Sequence, residues 1–241
     1  MNRPPTTDHR PPHSATSRVF LLIGLVFLSL ALAGAGQTGA AVVNGKLTIA
    51  RLKYNGGGDW YNDPDILPNL CRELSRRADI AVNEQQEIIS LTDDNLFSYP
   101  ILFMTGHGEI KLSDAEIQRL RAYLTHGGFL YADDDYGMDK AFRRELKRVF
   151  PDKDLVELPF SHPIYHIIYE FPHGLPKIHE HDGKPAQGFG LFHDGRLIVL
   201  YTYETNISDG WADPDVHHDP PPKREAAFQM GINIVAFALS Q

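Results

Sequence analysis

Three observations predict an α/β fold, a three-layer sandwich with a mainly parallel sheet. Apolar runs of strand length alternate with amphipathic stretches of helix length. The run "PILFMTG" (100–106) is apolar throughout, as expected of a strand covered on both faces. Loops rich in Gly, Asn and Asp follow the apolar runs, at the strand ends where open parallel sheets bind ligands. A composition of 42% hydrophobic and 22% charged residues suits one globular domain over residues 46–241.

The elements follow in order. "KLTIARLKY" (46–54) alternates and reads as the first strand. "NGGGDWYND" is a loop, after which Asp63 is expected to cap a helix that has Pro64 at its first position. That helix carries Leu67, Leu70, Cys71, Leu74 and Ala78 on one stripe, which makes Cys71 a small buried hydrophobe. "EIIS" and "PILFMTG" are the next strands. Ser113 and Glu116 form a capping box for a helix with Ile117, Leu120 and Leu124 inward and a stop at Gly127. "FLYADD" is a strand, and "MDKAFRRELKRVFP" a helix with Phe142, Leu146 and Val149 inward. "LVELPF" reads as a strand and "SHPIYHIIYEF" as a helix from Ser161. "GFGLFHDGRLIVLYTY" reads as a hairpin turning at Asp194-Gly195, and "KREAAFQMGINIVAFAL" as the closing helix.

Residues 1–40 are set apart. An Arg-bearing polar stretch precedes "VFLLIGLVFLSLALA", and small residues follow. The pattern predicts a secretory signal peptide, with residues 19–36 as a membrane anchor if it is not cleaved. The domain is then expected to be exported, to the periplasm or the extracellular space, touching membrane only through this segment. Residues 1–40 carry Arg3, Arg10 and Arg18 against Asp8, so a net charge of −8 leaves −10 on the rest. A surface of that sign repels nucleic acid as a general partner. Cys71 is the sole cysteine and permits no intrachain disulfide.

The polar residues that follow the strands are the candidate ligand-binding set. They are Asp59 and Trp60 in "GGGDW", His107 in "GHG", Asp133 and Asp134 in "YADDDYG", and Asp209 and Trp211 in "SDGW". Asp134 and His107 are the catalytic candidates, since a carboxylate and an imidazole at one strand end suit acid–base work. Strand alternation should point Asp133 and Asp135 one way and Asp134 the other. One of the three should then face His107, and another should bond amides of the next turn. His107 equally fits a role in holding its loop, and Asp135 and Asp139 fit turn and cap roles. His162 and His166 have i, i+4 spacing, but Pro163 lies between them and no third ligand is adjacent. "HEH" (179–181) and "HHD" (217–219) read as solvated loops, so no metal ligands are assigned, and the cofactor is left open. The chain contains no G-x-G-x-x-G, Walker or G-x-S-x-G motif.

"KLTIARLKYNGGGDWYND", "ILFMTGHGEIKLSDAEIQRLRAYLTHGGFLYADDDYG", "HPIY" and "NISDGW" together resemble the domain of unknown function 4159 over residues 46–241. That family is similar in turn to the class I glutamine amidotransferase-like superfold, including trehalose-utilisation-type proteins that share an "HPI" element. The resemblance implies a flavodoxin-like sheet and a crevice at the carboxyl ends of its strands. It places the aspartate run, at Asp133 or Asp134, where an amidotransferase carries its nucleophilic Cys. A carboxylate cannot form the thioester that glutaminase chemistry needs, so that activity is not expected. The expected function is an exported domain that binds a small polar ligand, carbohydrate included, or a partner's loop. The alternatives are an Asp/His-dependent hydrolase, with or without a metal, and a structural member of an envelope complex.

Overall fold

A computed structural model describes residues 45–241, and the expected signal or anchor at 1–40 lies outside them. Seven strands form one sheet: β1 (Ile49–Lys53), β2 (Glu87–Ser90), β3 (Ile101–His107), β4 (Phe129–Tyr136), β5 (Val156–Glu157), β6 (Gln187–His193) and β7 (Arg196–Tyr203). Their order is β2-β1-β3-β4-β7-β6-β5. The pairs β1–β2, β1–β3, β3–β4 and β4–β7 are parallel, while β6 and β5 add an antiparallel edge. The sheet is therefore mixed and mostly parallel. The chain leaves β1 for β2 on one side and returns to β3 on the other, which opens a crevice at the carboxyl ends of β1 and β3.

Among the described residues, four α-helices cover the sheet: α1 (Ile66–Ala78), α2 (Asp114–Thr125), α3 (Asp139–Val149) and α4 (Pro221–Ser240). One core lies beneath α1 and α4, where Leu70, Leu74, Met230 and Ile234 meet Ile49, Phe103 and Tyr131. The other lies beneath α2 and α3, where Ile117, Leu124, Phe142 and Leu146 meet Leu52, Leu102 and Leu130. Alternate residues of β3 and β4 enter opposite cores, as the side-chain period of a strand requires. The Ser113–Glu116 capping box forms as expected, and Asp194 and Gly195 both take positive φ in the β6–β7 turn. Among the described residues no helix is long and apolar enough to cross a membrane.

Two expected elements differ. The first helix begins at Ile66, and Asp63 sits before it in a left-handed conformation, φ 43°. Both nearby carboxylates are engaged by distant chain: Asp65 accepts from the Asp213 amide at 2.6 Å, and Asp63 lies 3.0 Å from His217 Nε2. The helix expected from Ser161 is only a 3₁₀ turn, Pro163–Tyr165. Asn233 of α4 accepts from the Ile168 and Tyr169 amides and donates to the Tyr169 carbonyl. The backbone there is satisfied from outside, so no helix is needed. His166 turns to Glu170 and the Phe160 carbonyl, and so does not pair with His162 as a ligand.

Candidate functional site

The site is built around the end of β4. Asp133, Asp134 and Asp135 are all buried, and they alternate in direction as the strand dictates. Asp133 accepts from the Thr202 hydroxyl and from the Ser208 amide at 2.7 Å. Asp135 accepts from Asn62, and from Asn206 Nδ2 at 2.7 Å. Asp134 points to the other face, where the Met138 amide and the Tyr201 hydroxyl each donate to it at 2.9 Å. One aspartate thus bonds the next turn, and another faces His107.

That second residue is Asp135. Its Oδ2 lies 3.3 Å from His107 Nδ1, and Asp59 Oδ2 lies 3.0 Å from the same nitrogen. The His107 amide also donates to Asp59 at 2.6 Å. Gly106 makes this approach possible: at φ 139°, a Cβ there would lie 3.1 Å from Asp59 Oδ1. The two catalytic candidates are not brought together. Asp134 makes no contact with His107 among the described residues, because it lies on the opposite face of the strand.

Burial sets the charge state of this cluster. Full burial pushes the Asp133 carboxyl up to about 7, against the lowering effect of Thr202 and Ser208. Burial also raises Asp135, and the carboxylates of Asp209, Asp133 and Asp63 add to it. Burial opposes the charge of Asp209 too, but hydrogen bonds from His179 and Asn206 outweigh it and hold that carboxyl low. Asp59 is likewise held low, as the His107 amide and ring overcome its partial burial.

Asp209 links this cluster to two histidines. His179 Nδ1 lies 2.8 Å from Asp209 Oδ2, and His217 Nε2 lies 4.0 Å from Asp209 Oδ1. The "HEH" and "HHD" loops are therefore tied to the sheet end instead of standing free in solvent. Donor atoms of His179, Asp209 and His217 lie within 4.8 Å of one another, as do those of Asp63, Asp135 and Asp209. Asp63 and Asn206 hold positive φ here, a conformation that Asp and Asn tolerate better than most residues.

The tryptophans part company. Trp211 is 0% exposed, packs on Phe103 and Tyr131, and donates to the Ala227 carbonyl at 2.8 Å. It is a core residue and lines no crevice. Trp60 is half-buried against the edge of the α2/α3 core, with Lys53 over its ring.

The open space lies on the Asp134 face. A cavity of about 470 Å³ sits outside the ends of β4 and β7, lined by Asp134, Tyr136, Lys140, His181, Tyr203 and Glu204 among others. Tyr136 stacks on His181 with centroids 4.7 Å apart. Of the seven expected ligand residues, Asp134 alone reaches this cavity. Tyr136 and Tyr203 were legible only as strand-end residues, since nothing local marks a tyrosine as a cavity wall.

In a comparison with known families, the model of a domain of unknown function, DUF4159, matches residues 48–239. No curated protein matches the chain.

Proposed function

Because the chain belongs to the DUF4159 family, we propose its function from its own geometry: an exported, non-glutaminase domain that binds a small polar ligand, a carbohydrate first of all. The observation that carries this reading is the cavity at the ends of β4 and β7. Its volume suits a small molecule, and sites of that kind run to roughly 300–1,000 Å³. Tyr136 and Tyr203 offer ring faces for a sugar, and Asp134, Glu204, Lys140 and Lys184 offer partners for its hydroxyls. Export is proposed from the apolar stretch at 19–36. The strand order also supports kinship with the class I glutamine amidotransferase-like superfold. Cys71 supports the loss of its chemistry, being buried on α1 with its thiol pushed up to about 12 by burial.

Calorimetry against a panel of mono- and disaccharides tests the reading. Binding is expected, weakened at least tenfold in Tyr203→Ala. A panel with no binder would overturn it, and so would glutamine hydrolysis that disappears in Cys71→Ser.

One observation favours a second reading, hydrolysis by general acid–base work. The half-exposed His107 ring is held between Asp59 and Asp135. Hydrolysis of a glycoside or ester panel that is lost in His107→Gln would establish it.

A further inference from the structure

The motifs "HEH" and "HHD" supply two histidines, His179 and His217, that take no part in the cavity. His179 lies between two carboxylates. Its Nδ1 is 2.8 Å from Asp209 Oδ2, and its Nε2 is 3.1 Å from Asp219 Oδ2. A neutral imidazole has one N–H and one bare nitrogen. If Nε2 donates to Asp219, the bare nitrogen faces the oxygens of Asp209. Lone pairs facing each other at that distance require a second proton or a cation. His217 stands beside the same cluster, its Nε2 3.0 Å from Asp63 Oδ2 and 4.0 Å from Asp209 Oδ1, so that this one nitrogen faces both carboxylates. Asn206 bridges Asp209 to Asp135. Asp63, Asp209 and Asp219 thus converge on two imidazoles, which offset at most two of those three charges. Arg51 is buried nearby, but its guanidinium bonds the Asp63 carbonyl and the side-chain amide oxygens of Asn62 and Gln86.

We propose that His179 Nδ1, His217 Nε2 and an Asp209 oxygen ligate a divalent transition-metal ion, zinc first of all, with Asp63 in the fourth position. Tetrahedral zinc, with bonds of about 2.0–2.1 Å, sets its ligand atoms roughly 3.4 Å apart. The donor atoms of the triad already lie within 4.8 Å of one another, so closing on an ion needs only small side-chain shifts. Two imidazoles among the donors select the zinc class over calcium or magnesium, which take oxygen ligands. Asp219 supplies the partner that ligating histidines use to fix tautomer and ring orientation. The ion clasps the segments that carry His179 and His217 onto the turn after β7. This site lies on the face of β4 opposite the cavity, so it stands or falls independently of the carbohydrate reading.

The test uses the untagged full chain, stripped with chelator and titrated with zinc, cobalt, magnesium and calcium alone. One equivalent of zinc should survive gel filtration and raise the melting temperature by several degrees. Cobalt should give visible bands of a nitrogen–oxygen site, and magnesium and calcium should do neither. Asp219→Asn should weaken zinc roughly 10–100-fold, the usual effect of losing such an orienting partner. His217→Gln should weaken it further. A wild-type chain that retains no zinc and leaves cobalt with its aqueous spectrum overturns the proposal. Zinc binding that neither substitution alters overturns it equally. Should a variant fail to fold, the wild-type cobalt spectrum decides.

Discussion

The two faces of the sheet at the end of β4 differ sharply in how they treat like residues. On the α1/α4 face, Tyr131, Asp133, Asp135 and Trp211 are buried against the turn after β7, and every carboxylate oxygen there meets a donor or another charge. On the α2/α3 face, Asp134 borders an open cavity and Trp60 packs half-buried against the edge of the core. Three consecutive aspartates and two Asp–Trp-type loops look alike in sequence. Their environments differ because a strand assigns alternate residues to opposite faces and because only one face is closed by a returning loop. Closed polar groups set stability and its pH dependence, whereas open ones are available to a ligand.

The largest test of that contrast sets the two tryptophans against each other. Trp211→Ala should cost about 3–5 kcal/mol, as for other buried aromatic truncations, and Trp60→Ala less than about 1 kcal/mol. Urea unfolding of both variants measures this, and equal losses would erase the distinction between the faces.

A pH titration of stability comes next. Asp133 is fully buried and ionises at about 7 in the fold, against about 3.9 in an unfolded chain. The folded state therefore holds the extra proton between those values, and stability falls as pH rises from about 4 to about 7. The shift corresponds to at most about 4 kcal/mol. Asp133→Asn should flatten this slope, with the melting temperature at pH 7.5 equal to wild type or higher. A slope unchanged in that variant would show that Asp133 is already paired as an anion. Asp59 and Asp209, held low, act in the opposite direction below about pH 4.5.

Packing at Gly231 gives a smaller effect. A Cβ there would lie 2.7 Å from Leu70 Cδ1 and 2.7 Å from Trp211 Cζ2. Gly231→Ala should destabilise by about 1–3 kcal/mol although alanine is the better helix former, because overpacking outweighs propensity. Circular-dichroism melts check the sign.

Asp134→Asn should be the mildest for stability, below about 1 kcal/mol. Its Oδ1 can still accept from the Met138 amide, and the Tyr201 hydroxyl also has Asp139 at 3.1 Å. Sugar affinity should fall in the same variant if the cavity is the ligand site. Thermal melts and calorimetry on one preparation separate the two effects.

Much of the architecture was legible in the residues themselves. The alternating apolar pattern marked β1, the uniformly apolar run marked β3, Ser113 with Glu116 marked the start of α2, and Asp194-Gly195 marked the hairpin. These signals are local: they depend on neighbours within one turn or one strand. Strand parity likewise separated Asp134 from Asp133 and Asp135 in advance. The tertiary structure alone decided which tryptophan was buried, that Asp135 and not Asp134 meets His107, and that His179 and His217 close on Asp209. It also moved the start of α1, by spending Asp63 on His217 and Asp65 on the Asp213 amide. Those outcomes join residues far apart in the chain, and no short-range periodicity or spacing carries information about them. A carboxylate's role is set by whichever donor the fold brings to it, and that donor is chosen by packing.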